Sequence, residues 1–119
     1  MPTKEEHLET ALHNEQLAEV LAASKFTDWA VTVYFYTALH YAHAVLAIYG
    51  QHPQSHEATA PLVRSNQVLK RIWKEYRCLQ VASRNARYYA AKISPQHLHD
   101  VQIAFGTIKG YIRAELGIQ

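Results

Sequence analysis

The run of residues 29–49 constrains the fold more than any other part of the chain. It reads WAVTVYFYTALHYAHAVLAIY and contains no Asp, Glu, Lys or Arg. A helix that is apolar nearly all round is normally buried on all sides. The run could also cross a bilayer, but its four Tyr, two His and two Thr would then need partners away from water. We therefore predict a buried helix, with no membrane association, that is capped by Thr27 or Asp28 and ends at Gly50.

Length and composition favour one all-α domain. The 119 residues suffice for a single core, and 49% of them are hydrophobic. Four Gly and four Pro leave little material for loops, and no short alternating runs indicate strands. We predict a single domain over residues 1–119, folded as an up-and-down four-helix bundle. A single cysteine, Cys78, and a polar, acidic N-terminal segment suggest a cytoplasmic protein.

The first helix is predicted from its start signal and its apolar spacing. Thr3 and Glu6 form a capping box, and the helix should end near Ser24. Five apolar residues are predicted to form the side of this helix that packs against the core: Leu8, Leu12, Leu17, Val20 and Leu21. Three glutamates are predicted to face water: Glu9, Glu15 and Glu19.

Two more helices complete the predicted bundle after a loop at residues 50–61. The third should run from about residue 66 to about residue 91, and Ser94 should cap the fourth. Both carry mostly apolar residues at steps of three or four that favour one helix face. The third-helix set is Leu69, Ile72, Tyr76, Leu79, Ser83, Ala86 and Ala90; the fourth-helix set is Leu98, Val101, Phe105, Ile108, Ile112 and Leu116. Gly106 and Gly110 are predicted to allow a close helix crossing.

Charge is segregated along the chain. Residues 1–28 carry a net charge of −4 and residues 64–92 a net charge of +7. Cations interleaved with aromatic side chains suit a phosphate backbone with stacked bases. The candidate nucleic-acid-binding or nucleotide-binding residues are Lys74, Arg77, Arg84, Arg87 and Tyr88. The alternative is a solvated face whose positive charge balances the acidic first helix.

The apolar second helix also predicts a homodimer. A chain this short should not surround one helix completely, so part of its surface should meet a second copy. The predicted interface residues are Trp29, Tyr36, His40 and His43. The two histidines lie three apart, but the helix offers no glutamate to complete a metal site of the kind found in helical bundles. We therefore expect a buried or interfacial histidine pair, with no metal and no cofactor.

Three stretches resemble the HEPN domains (higher eukaryotes and prokaryotes nucleotide-binding): DWAVTVYFYTALHYAHAVLA, HPQSHE and SRNARY. The resemblance covers roughly residues 5–116. It implies a compact helical bundle that is commonly dimeric. Many members are metal-independent ribonucleases of toxin–antitoxin or defence systems, often beside a nucleotidyltransferase partner protein.

The resemblance also assigns candidate catalytic residues. The family motif is an Arg, usually followed by a polar residue, with a His four to six positions after the Arg. Arg84 and Asn85 match its first part, but Tyr89 stands where the His is expected. Tyrosine is a poor base at neutral pH. We therefore expect a protein that binds RNA or a nucleotide, with degenerate or absent ribonuclease activity. This expectation would change if the fold places His97 or His99 where the motif histidine should lie. The alternative is a non-enzymatic dimeric interaction module whose basic helix binds an acidic protein.

Overall fold

The computed structural model of the protein describes residues 1–118, and all of the regular secondary structure in this range is helical. No strand occurs among these residues, so the all-α prediction is confirmed. There are five α-helices and one short 3₁₀ segment: α1 (Lys4–Ala22), α2 (Thr27–Ile48), α3 (His56–Ser65), the 3₁₀ segment (Leu69–Ile72), α4 (Trp73–Tyr88) and α5 (Pro95–Glu115).

The apolar helix α2 lies at the centre of the molecule. It packs against α1, α3, α4 and α5, and 13 of its 22 residues are buried. By length and composition α2 could cross a membrane, and 67% of its most apolar window is buried inside the protein. The core helix of a water-soluble bundle has the same composition. The chain itself thus covers much of α2 and leaves part of its surface open, so the second copy stays a prediction.

The buried face of α1 differs from the predicted one. The capping box is present, since Thr3 Oγ1 accepts from the amide of Glu6 and the Glu6 carboxylate accepts from the amide of Thr3. However, the helix buries a different set of residues, which are His7, Ala11, Glu15 and Ala18. Three of the five predicted core residues are exposed, namely Leu12, Leu17 and Val20. Small alanines at the contact let α1 lie close to the bulky α2.

The positions of both ends of α2 agree with the prediction, but the residue that caps its start does not. The cap residue is Phe26, which makes no side-chain capping bond, and Ser24 Oγ accepts from the amide of Phe26 instead. Thr27 is already helical, so the prediction of a Thr27 or Asp28 cap is wrong. At the other end, Gly50 has φ +72°, the left-handed conformation expected of a helix stop.

The predicted loop at residues 50–61 contains the start of an additional helix. Ser55 Oγ accepts from the amide of Ala58 and caps α3, which runs through Pro61. Pro61 lies inside α3, where it removes one i→i−4 hydrogen bond, and the helix nevertheless continues to Ser65. The described residues therefore contain five α-helices and not the four predicted, and the third predicted helix is divided into the 3₁₀ segment and α4.

The predicted apolar spacings of the last two helices are largely correct. Five of the third-helix set are buried: Leu69, Ile72, Tyr76, Leu79 and Ser83. Ala90 is exposed, and α4 ends at Tyr88, earlier than predicted. Ser94 caps α5 as expected, with Oγ accepting from the amide of His97. The close crossing at Gly106 and Gly110 is wrong, because a Cβ at either position would meet nothing within 4 Å.

Candidate nucleic-acid interface

A surface cavity lies at the C-terminal end of α4, where α4 and the start of α3 come together. Its volume is about 260 Å³. It is lined by charged, polar and aromatic side chains: His56, Glu57, Gln80, Arg84, Arg87, Tyr88 and Tyr89. We call this the arginine cavity. It unites two predicted phosphate-binding arginines with both neighbouring tyrosines.

Arg87 is held in place on the α2 side of the arginine cavity. Its side chain donates to Tyr36 Oη (2.9 Å) and to the carbonyl of Ser83 (3.3 Å). The guanidinium also lies over the rings of Tyr36 (5.6 Å) and Tyr88 (5.0 Å), within cation–π range. These two hydrogen bonds use two of the five N–H donors of a guanidinium. Arg87 is therefore oriented by the fold before any ligand binds.

The other predicted nucleic-acid-binding residues share one exposed face of α4. Lys74, Arg77, Arg84 and Tyr88 are separated by steps of 3, 7 and 4 residues, which place them on one side of a helix. All four are exposed. Arg77 also donates to Gln80 Oε1 (2.8 Å), a residue at the rim of the arginine cavity. The basic face of α4 therefore leads into the cavity, with Arg87 behind it.

Two of the three candidate catalytic residues line the arginine cavity. Arg84 and Tyr89 do so, whereas Asn85 is half-buried and is not among the lining residues. The carbonyl of Asn85 accepts from the amides of Tyr89 and Ala91 at the helix end. Because α4 ends at Tyr88, the residue that stands where the family motif expects histidine, Tyr89, lies in the turn that follows.

The imidazole in the arginine cavity comes from His56, which the sequence argument did not select. His97 and His99 do not line it. The His56 ring is held edge-on to Phe35 and Tyr36, with centroid distances of 6.1 and 6.4 Å. The sequence contained one signal for this position. Ser55, two residues after Pro53, is a typical helix cap, and the helix that starts there brings His56 to the surface of α2.

The predicted dimer residues divide into two groups. Trp29 is 54% exposed and borders a second cavity of about 380 Å³, which Arg87 also lines. The other three residues are half-buried and make contacts inside the chain. Tyr36 binds Arg87, His43 Nε2 lies 2.8 Å from Thr59 Oγ1, and His40 contacts α1.

His40 and His43 belong to a cluster of three histidines that also contains His7 of α1. The Nδ1 atoms of His7 and His40 are 3.1 Å apart. One ring nitrogen of each of the three residues lies within 4.8 Å of the others. Burial lowers the pKa of all three, for His43 to about 4. The three rings are therefore neutral near pH 7.

Comparison with known proteins leaves the family open. No model of a protein family matches the chain, and no curated protein matches it. The function must therefore be argued from the arginine cavity and the basic face of α4.

Proposed function

We propose that the protein is a divergent HEPN-like, dimeric RNA-binding or nucleotide-binding protein with degenerate or absent metal-independent ribonuclease activity. The observation that carries the proposal is the arginine cavity, in which Arg84 and Arg87 lie beside two exposed tyrosines. Arginine recognises phosphate bidentately, and a tyrosine ring provides a surface on which a base can stack.

The shape of the surface favours a single strand over a duplex. Lys74 and Arg77 extend the positive charge along α4, and Tyr88 and Tyr89 are 67% and 70% exposed at its end. A strand that follows this face would place phosphates on the cations and bases on the tyrosines. Arg87, bound to Tyr36, would meet the strand in a fixed orientation at little entropic cost.

Binding rather than cleavage is the proposed activity because the motif histidine is replaced. Ribose-hydroxyl cleavage needs a group that accepts a proton near neutral pH, and Tyr89 is a poor base there. His56 borders the same cavity, but it comes from α3 and does not occupy the motif position, so we assign it a hydrogen bond to a phosphate. In this proposal, Arg84, Arg87 and His56 hold the phosphate, and Tyr88 and Tyr89 hold the base.

Binding of a fluorescently labelled single-stranded RNA tests the proposal. We expect Arg84→Ala and Arg87→Ala each to weaken binding about 10-fold, the worth of one charged hydrogen bond. Each should also reduce the salt slope by about 0.7. Lys4→Ala, which removes one positive charge from the start of α1, should leave both quantities unchanged. Affinity that is the same for Arg84→Ala and the wild type would refute the assignment of the cavity.

A cleavage assay addresses the enzyme question separately. We expect intact RNA after prolonged incubation with the wild type in the presence of a chelator. Cleavage that is abolished by both Arg84→Ala and His56→Ala would show an active ribonuclease and overturn the proposed loss of activity. Cleavage that survives both changes would point to a contaminating nuclease.

The dimer remains part of the proposal. Trp29 borders a cavity that also contacts Arg87, so a second copy seated on Trp29 would lie beside the RNA-binding surface. Light scattering at micromolar concentration should give twice the monomer mass of 13.6 kDa, and Trp29→Glu should give the monomer mass. A monomeric wild type would refute the dimer. A nucleotidyltransferase partner encoded by a neighbouring gene would support the toxin–antitoxin context that the HEPN resemblance implies.

A further inference from the structure

The three-histidine cluster of His7, His40 and His43 lies outside the arginine cavity and has no part in the proposed RNA binding. It joins the first turn of α1 to the second half of α2, and α3 covers one side of it through Thr59. No carboxylate belongs to the cluster. Three converging imidazoles without a carboxylate need a reason beyond packing, because such rings bury polar nitrogens in the core.

We propose that His7, His40 and His43 bind a transition-metal ion, Zn²⁺ in the first instance, through one imidazole nitrogen each. Imidazole is a preferred ligand of Zn²⁺, Cu²⁺ and Ni²⁺. Zn²⁺ accepts three protein ligands and leaves a fourth position for water.

The spacing of two ligands already fits such an ion. Zinc–nitrogen bonds of about 2.0–2.1 Å in a tetrahedron place ligand nitrogens roughly 3.3 Å apart. The Nδ1 atoms of His7 and His40 are 3.1 Å apart. The ligand nitrogens of all three residues lie within 4.8 Å of one another. A small rotation of one ring would therefore bring the third nitrogen to the distance that a bound ion requires. The proton that lies between the two Nδ1 atoms would move to Nε2 or to solvent when the ion binds.

Thr59 fixes which nitrogen of His43 is free to bind. The Thr59 hydroxyl donates its proton to the carbonyl of Ser55 (2.8 Å). Its oxygen is therefore an acceptor for His43 Nε2, 2.8 Å away. With the proton on Nε2, the lone pair of His43 is on Nδ1. A hydrogen bond of this kind orients the imidazole in many protein metal sites.

A solvent-accessible cavity gives access to the fourth position. It has a volume of about 380 Å³ and is lined in part by His7, His43 and His52. Nδ1 of His52 is buried and has no hydrogen-bond partner among the described residues. His52 shares this cavity with His7 and His43 and can hydrogen-bond a water that is bound there.

Titration calorimetry with Zn²⁺ near neutral pH tests the site, using tag-free, chelator-treated protein in a Cys78→Ser background. That change removes the exposed thiol, which could bind zinc by itself. We expect one ion per chain, a dissociation constant of about 1 μM or tighter, and a higher melting temperature with zinc. His7→Gln and His40→Gln should each weaken binding at least about 10-fold.

His13→Gln is the matched control, because His13 is exposed on the outer side of α1. Binding that is absent from the wild type, or that is unchanged in both cluster variants, would overturn the proposal. Equal losses of zinc affinity in the control and the cluster variants would indicate that zinc binds to surface histidines, and would also overturn the proposal. Circular dichroism of each variant shows whether the fold is retained, and the wild-type titration tests the proposal even if a variant does not fold.

Thr59 provides a second, independent measurement. Thr59→Ser keeps the acceptor oxygen and should retain zinc affinity, whereas Thr59→Val keeps the shape and should lose about 10-fold. Equal affinities of these two variants would show that Thr59 does not position His43 for an ion.

Discussion

Ala90 has a backbone conformation that alanine rarely adopts. It follows Tyr89, the residue that caps α4, and its φ is +52°. An L-residue with a Cβ is strained there by roughly 1–2 kcal/mol, and glycine is the usual residue at such a helix stop. We expect Ala90→Gly to raise the free energy of unfolding by about 1 kcal/mol, measured by urea denaturation. Ala91→Gly, one position later and without the positive φ, should give no gain; equal effects would contradict the strain.

Glu15 is a second residue whose environment conflicts with its chemistry. Its side chain is nearly buried, and its Oε2 lies 2.7 Å from Lys109 Nζ on α5. Its other oxygen, Oε1, is buried without a hydrogen-bond partner among the described residues. Removal of one partner from a buried pair leaves an uncompensated charge, whereas apolar replacement of both is often neutral.

A double-mutant cycle tests this pair. We expect Lys109→Met to lower the free energy of unfolding by about 2 kcal/mol, less than for a fully buried pair because the lysine is half-exposed. The double variant Glu15→Leu with Lys109→Met should fall within about 1 kcal/mol of the wild type. Additive losses in the double variant would show that the two side chains do not depend on each other.

At the scale of elements, α1 shows where the sequence pattern misleads. Its leucines follow a helical spacing, but the two residues that it buries completely are Ala11 and Ala18. Small residues on this face allow a shorter distance between the axes of α1 and α2. A count of apolar positions contains no information on that distance. Start and stop signals depend on local chemistry alone, and those at Thr3, Gly50 and Ser94 were predicted correctly.

A pair of opposite substitutions tests the orientation of α1. We expect Ala11→Leu to lower the free energy of unfolding by about 2 kcal/mol, because added methyl groups would force α1 away from α2. Leu12→Ala, at a 51% exposed position, should change it by less than about 0.5 kcal/mol. The reverse order in urea denaturation would mean that the leucine face is the buried one.

The sequence predicted only those residues of the candidate site that lie together on one helix. Lys74, Arg77, Arg84 and Tyr88 could be placed together from helical spacing within α4. His56 could not, because it reaches Arg84 through the fold of α3 rather than through sequence proximity. The same holds for His7, which is 33 residues from His40 and meets it only because α1 packs against α2.

For the whole molecule, the three-histidine cluster links stability to pH. Burial lowers the pKa of His43 to about 4, below the ordinary value of 6.5, and the nearby His7, His40 and His52 lower it further. Between these two values the unfolded chain binds more protons than the folded one. The stabilisation contributed by the neutral ring is therefore complete above pH 6.5 and is lost as the pH falls toward 4.

Urea denaturation at about pH 7.5 and about pH 5, with a chelator present, measures this contribution. We expect the free energy of unfolding to be lower at the acid pH, and about 1 kcal/mol of that loss should come from His43. This contribution is smaller than for a fully buried histidine because water reaches part of the ring. His43→Gln keeps a hydrogen-bond donor for Thr59 but does not titrate, so its loss between the two pH values should be smaller by that amount. His99→Gln, at an exposed position on α5, should behave like the wild type. If all three proteins lose the same stability, the acid sensitivity of the protein arises outside the cluster.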